Sequence, residues 1–380
     1  SYYEKDNYAI KESQEPGSTF KLVDLIAVLD DKKADTSTVY DSNGGEIQYY
    51  GRRVRDSHKG GYGKISLARG FEVSSNTILV QSVYESYKNN PKQFTDRINS
   101  YGLNKPLGLP IKGEGIPVIP QPGTNRWSGV ALPWMAFGYG LSVTPLQTLT
   151  LYNAVANDGV MVKPIFVSEI KEWNKTIKKY NTEVINPKIC SQEALNKVQA
   201  VLENVVKRGT GSKLYSKDFS MAGKTGTAQV NYKDKSKLYY ASSFVGYFPA
   251  NEPKYSCIVV VHKPNVAAGY YGADVAGPVF KRIAQKIFTD SPSTNHVKNI
   301  DAKVVSQESD YSNYYKKVEK EERIVPNVKG MSGMDAVALL ENLGLKVKVI
   351  GAGKVKKQSL TSGQAFNKNQ TIIIELSWSN

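Results

Sequence analysis

Apolar residues fall at helical spacing across Ser18–Leu29 (STFKLVDLIAVL), directly after Pro16-Gly17, and predict a helix entered from a tight loop. A second helix is predicted over Thr144–Ala156 (TPLQTLTLYNAVA), with Thr144 as N-cap and Pro145 at the first helical position. Met221–Val230, Ser242–Phe248 and Tyr255–His262 read as strands. Helices between two blocks of sheet, without a strict βαβ rhythm, predict an α+β domain built on an antiparallel sheet. The pattern changes near the C-terminus. Met334–Leu343 is a helical apolar pattern, Asn342–Leu345 a helix stop, and Lys346–Ile350 and Thr371–Leu376 are strand-like, which together suggest a small βαβ-type module. Between the two lies a stretch with six positive and six negative charges and few apolar residues, read as a linker. The chain therefore divides into 1–297, 298–324 and 325–380. Its longest apolar runs, such as Leu22–Leu29 and Ile258–Val261, fall well short of the ~18–20 residues a membrane span needs.

Composition narrows the function classes. The chain has 380 residues with 24 Tyr, 11 Phe and 4 Trp, far too aromatic for a solvated coil. Cys190 and Cys257 are too few for a disulfide scaffold or a cysteine-based zinc cluster, and whether they pair is left open. The histidines, His58, His262 and His296, are scattered, so no metal site and no cofactor is expected. The net charge of +15 divides as +11, 0 and +4 over the three segments. Positive charge spread over both folded parts, with no nucleic-acid module in sight, points away from nucleic acid and toward anionic lipid or an acidic substrate.

Three short motifs carry chemistry. They are Ser18-Thr19-Phe20-Lys21 (S-x-x-K), Ser74-Ser75-Asn76 (S-x-N) and Lys224-Thr225-Gly226-Thr227 (K-T-G-T). A serine hydroxyl needs a base within hydrogen-bond reach. Positions i and i+3 share a helix face, so Lys21 can serve Ser18, provided burial or a second cation such as Lys224 lowers its pKa. Ser18 at a helix N-terminus also sits where developing negative charge is favoured. Ser74 is suited to pass a proton to a leaving amine, and Asn76 to hold a substrate amide. On a strand, Lys224 and Gly226 share a face, and the missing side chain at Gly226 would let a substrate lie along the strand edge. The backbone N–H groups of Ser18 and Thr227 would form an oxyanion hole, and the hydroxyls of Thr225 and Thr227 would bind a carboxylate. The ordered trio is the one associated with penicillin-binding proteins and class A β-lactamases.

The chain also contains decoys. Ser168-Glu169-Ile170-Lys171 repeats S-x-x-K in an edge-strand-like stretch, where i and i+3 point to opposite faces. Ser293-Thr294-Asn295 repeats S-x-N. Gly223-Lys224-Thr225 ends like a phosphate-binding loop, but the required first glycine is Asp218. Gly351-Ala352-Gly353-Lys354 fails in the same way, which sets an NTPase reading aside.

Beyond the trio, EPGSTFKL (Glu15–Leu22), RDSHKGGYGKISLARGFEVSSNT (Arg55–Thr77), FGYGLSVTPLQTLTLYNAVANDG (Phe137–Gly159), GTG (Gly209–Gly211), AGKTGTAQ (Ala222–Gln229) and SSFVGYFP (Ser242–Pro249) resemble the segments of class B penicillin-binding proteins. VPNVKGM, which opens residues 325–380, resembles the start of a PASTA module. The resemblance implies a penicillin-binding transpeptidase fold: an antiparallel sheet flanked by helices plus a helical subdomain, followed by a small α+β PASTA domain. It implies a cell-wall D,D-transpeptidase of the septal-division type, located in the cell envelope. The partners it implies are D-Ala-D-Ala stem peptides, lipid-linked precursor strands, β-lactams, a glycosyltransferase and other division proteins. Members usually carry a membrane anchor and first sheet strands before the nucleophile, whereas 17 residues precede Ser18 here, so the chain is expected to begin inside a longer, membrane-anchored protein. Two alternatives are a serine β-lactamase or sensor and a non-catalytic wall-peptide scaffold. The first needs a deacylating glutamate in an E-x-x-x-N segment. Glu85 with Asn89 comes too close behind the second motif, and Glu114 has Val118 at the asparagine position.

Overall fold

Leu22, Val23, Leu25, Ile26, Ala27 and Val28 have no exposed surface, so the helix Lys21–Asp30 (α1) is buried on every side and forms the central helix of the larger unit. The computed structural model describes residues 6–290, apart from 174, 233 and 235, and residues 324–377. The chain separates into Ser1–Pro292 and Ser293–Asn380. Except for Ile324, the charged linker lies outside the described residues, as does the decoy Ser293-Thr294-Asn295.

Around α1 pack Asn76–Tyr87 (α2), Pro145–Ala156 (α3) and Gln192–Arg208 (α4). The N-terminus of α3 follows the sequence pattern. Thr144 accepts from the Gln147 amide, Gln147 reaches back to the Thr144 N–H, and Pro145 takes the first position. The sheet is antiparallel, with strands Ala222–Val230 (β1), Tyr239–Phe248 (β2) and Tyr255–His262 (β3) in the order β3-β2-β1. Lys224 faces Val245 and Thr227 faces Ser242 across the β1–β2 ladder.

Alternation along β2 divides the core. Val245 and Tyr247 join the cluster around α1, while Phe244 and Phe248 join a second cluster with Ala276, Phe280 and Ala284 of the helix Gly272–Asp290 (α5). The sheet is thereby sandwiched between helices, the α+β arrangement the patterning predicts. The decoy Ser168 lies just before an exposed hairpin, Glu169–Glu172 paired with Lys175–Lys179, away from every other motif.

In the C-terminal unit the helix Gly333–Asn342 (α6) precedes three strands, Lys346–Ile350 (β4), Lys354–Gln358 (β5) and Thr371–Ser377 (β6), in the order β4-β6-β5. β4 and β6 are parallel, whereas β5 runs antiparallel to β6. This corrects the βαβ expectation. Strand β5 (KVKKQ) is missing from the pattern because Val355 is its only buried side chain, so it has no apolar run to read. Val325, Val328, Leu340, Phe366, Ile372 and Ile374 form the unit's own core.

Candidate active site

Ser18 does not lie within α1 but in the 3-10 turn Gly17–Phe20 that leads into it. The turn is held from several directions. Thr19 Oγ1 donates to the Pro16 carbonyl (2.9 Å), the buried Tyr152 hydroxyl of α3 donates to the Thr19 carbonyl (2.8 Å), and Gly17 N–H donates to the Gly138 carbonyl (3.1 Å). Gly138 has φ +81°, and a Cβ there would stand 2.0 Å from the Gly17 oxygen, so glycine is required at this position by close backbone approach. Ser18 itself is half-buried and opens into a cleft of about 490 Å3.

Lys21 is fully buried. Its Nζ donates to the Ser74 carbonyl (2.8 Å), Ser74 Oγ (3.3 Å) and Asn76 Oδ1 (2.7 Å), so it joins the first motif to the second rather than bonding Ser18 directly. Catalytic hydrogen bonds are commonly long before substrate arrives, and the i, i+3 spacing keeps Ser18 on the same side. Burial lowers the Lys21 pKa to about 7, with the carboxylates of Asp56 and Asp24 pulling it back up. Lys224 is not what lowers it. The repulsion is felt instead at Lys224, where it adds to burial in driving the pKa well below the usual lysine range.

The second motif is fixed by a residue that sequence reasoning passed over. Asp56 accepts from the backbone N–H of Asn76 (2.6 Å) and Thr77 (2.9 Å) and from the hydroxyls of Ser75 (3.0 Å) and Thr77 (2.9 Å), binding the N-terminus of α2. Asn76 Nδ2 donates to the Arg55 carbonyl (2.7 Å), which leaves Asn76 Oδ1 toward Lys21. Ser74 adopts φ +59°, a left-handed conformation unusual for serine, and its carbonyl accepts from Lys21. Asp56 stands inside the segment that resembles the family, but nothing in its spacing distinguishes it from a solvated aspartate.

The third motif occupies β1, the strand at the sheet's edge. Lys224 is fully buried; Nζ donates to the Thr225 carbonyl (3.2 Å) and sits 5.6 Å from the centre of the Phe71 ring. Thr225 Oγ1 shares a 2.7 Å hydrogen bond with Thr210 of the Gly-Thr-Gly turn, and Thr227 Oγ1 accepts from Gly272 N–H (3.0 Å) at the start of α5. Gly226 also has a packing reason. A Cβ there would strike Ser243 Oγ at 2.4 Å and Thr19 Cγ2 at 2.9 Å, so glycine lets the turn that carries Ser18 approach the strand. Ser18, Ser74, Asn76, Thr225, Gly226 and Thr227 all line the one cleft, and Lys21 and Lys224 lie buried behind it. Among the described residues there is no cluster of His, Cys, Asp or Glu able to hold a metal.

Residues 2–285 match the family model for the penicillin binding protein transpeptidase domain. The chain belongs to the penicillin-binding protein transpeptidase family. Residues 323–377 match the PASTA domain. Stage V sporulation protein D of Bacillus subtilis is 29% identical to this chain over 97% of the chain and 55% of its own length. Peptidoglycan D,D-transpeptidase FtsI of Escherichia coli is 28% identical over 73% of the chain and 44% of its length. The chain thus spans about half the length of these curated relatives. The apo crystal structure of penicillin binding protein 3 from Mycobacterium tuberculosis superposes with TM-score 0.67 and 27% identity, covering 76% of this chain and 65% of that one. The fold is therefore the penicillin-binding transpeptidase fold with a C-terminal PASTA domain.

Proposed function

We propose that this transpeptidase crosslinks peptidoglycan through an acyl-enzyme on Ser18. Ser18 Oγ attacks the penultimate D-Ala carbonyl of a stem peptide, its proton passes to Lys21, and the terminal D-Ala leaves as its amine takes a proton through Ser74. An amine of a second stem peptide then attacks the ester, forms the new amide and frees Ser18. Lys21 suits the role of base because burial leaves it substantially unprotonated near neutral pH. The N–H groups of Ser18 and Thr227 would stabilise the oxyanion, Asn76 would hold the stem-peptide amide, and Thr225 and Thr227 would take the terminal carboxylate. Burial drives the Lys224 pKa well below the usual lysine range, and a carboxylate arriving nearby would raise it again.

The observation that carries this reading is convergence: three motifs far apart in sequence line or back a single cleft. β-Lactams would acylate the same serine, and a structural relative from Mycobacterium tuberculosis is described in complex with ampicillin. Neither candidate glutamate of the β-lactamase reading lines the cleft. Glu85 belongs to α2 near Tyr40 and Tyr49, and Glu114 accepts from the backbone of Gly108 and Leu109 (3.0 Å each). The setting we propose is septal wall synthesis in the cell envelope, in division or spore formation, on a membrane-anchored protein. Lipid-linked precursor strands would supply its substrate, and a glycosyltransferase and other septal proteins would be its partners. Support comes from relatives named for sporulation and as FtsI.

Intact-mass measurement after incubation with penicillin tests the proposal. One stable adduct on the Ser18 peptide, absent from Ser18→Ala, is expected. An adduct that persists in Ser18→Ala would refute the nucleophile. Rapid turnover of a chromogenic cephalosporin would favour a β-lactamase, and complete inertness a scaffold.

A further inference from the structure

A second cavity, of about 380 Å3, adjoins the cleft along α5, and the two share Lys213, Ala273 and Asp274 as a common wall. Its charge is unbalanced. Lys213, Lys281 and Arg282 line it against a single carboxylate, Asp274, which is already paired with Lys213 at 2.6 Å. Among the described residues Lys281 Nζ donates only to the Tyr215 carbonyl (3.1 Å), a neutral acceptor. Arg282, exposed on α5, makes no hydrogen bond or ion pair with any described residue. Two cations thus face this groove without a carboxylate of their own, since Asp274 is taken up by Lys213.

Its position matters for the second half of the reaction. If the departing D-Ala carboxylate is met by Thr225 and Thr227, the leaving amine departs on that side of the acyl carbon. Amide formation is the chemical reverse of amide cleavage, so the incoming amine must occupy the place the leaving amine vacated. The remainder of the acceptor then extends past Thr225 and Thr227, over the Lys213–Asp274 wall. We infer that the groove along α5 is an acceptor subsite, in which Lys281 and Arg282 bind a carboxylate of the second, acidic wall peptide. This rests on the transpeptidase reading above.

The test uses the full chain with a D-Ala-D-Ala-type thioester donor and two acceptors, a stem peptide with free carboxylates and its carboxamide. Exposed ion pairs are weak, so with two of them the unaltered chain should favour the free-carboxylate acceptor by roughly two- to thirtyfold in kcat/KM, through KM. Charge reversal, Lys281→Glu with Arg282→Glu, should bring that ratio to one or below, and Arg282→Gln should fall between. Indifference of the unaltered chain to amidation, or a ratio that survives charge reversal, would overturn the subsite. Penicillin labelling of Ser18 in the unaltered chain separates the two levels. Without labelling the transpeptidase reading fails, whereas labelling without acceptor preference removes the groove alone.

Discussion

Lys21 and Asp24 stand one turn apart on α1, both without exposed surface, and their situations differ. Lys21 has three oxygen acceptors, whereas neither carboxylate oxygen of Asp24 has a hydrogen-bond partner, and burial drives that carboxyl well above its usual range against the pull of Lys21. An unsatisfied buried polar group costs about 1–3 kcal/mol. Asp24→Val, of similar volume, should therefore raise stability by about that amount in a denaturant melt; a loss of stability would show that attraction to Lys21 outweighs the missing hydrogen bonds. Lys21 sets a pH dependence of its own. In the proposed mechanism only the neutral amine accepts the Ser18 proton, so acylation by penicillin should be level above about pH 7 and fall roughly tenfold per unit below it. Because its folded pKa lies below the ordinary lysine value of 10.5, the unfolded chain binds more protons between the two values. The contribution of Lys21 to stability accordingly rises with pH across that window, and Lys21→Met should flatten both the rate limb and this slope.

At the scale of elements, the site depends on how the ends of helices are held. Asp56 bonds two backbone N–H groups and two hydroxyls at the start of α2 and so fixes Asn76 and, behind it, Lys21. Hydrogen bonds to a charged group are worth about 1.5–3 kcal/mol, so Asp56→Ala should destabilise the larger unit by at least that much. It should also slow penicillin acylation more than ten-fold, read by rates of labelling at a temperature where the variant remains folded; full-speed labelling would detach Asp56 from the site. Other elements could be read in advance. Thr144, Pro145 and the strand Tyr255–His262 were legible because capping and apolar alternation are local signals. The trio Ser18, Asn76 and Lys224 was legible from the order and chemistry of its motifs. Asp56 and Thr210 were not, because their significance arises from partners that only folding brings together: Asp56 is 20 residues from Asn76, and Thr210 is 15 from Thr225. Strand β5 escaped for a different reason, since a strand with a single buried side chain carries no periodic signal.

The whole molecule is two units with separate cores. The larger is organised around α1 and the sheet, and the smaller around Leu340, Phe366, Ile372 and Ile374. A small unit has a high ratio of surface to core, and at roughly 55 residues its unfolding enthalpy should be on the order of 40 kcal/mol, against about 200 kcal/mol for roughly 285 residues. Two units with their own cores need not unfold as one, so a calorimetric scan should show two transitions with areas in a ratio of about five to one. Covalent acylation modifies only the folded cleft, and the bound acyl group makes interactions there that unfolding breaks, so penicillin should raise the larger transition. The smaller one should stay where it is, because the PASTA domain has a core of its own. Ser18→Ala should abolish the shift without merging the peaks. A single transition, or two that move together on acylation, would mean that the PASTA domain is energetically coupled to the larger unit.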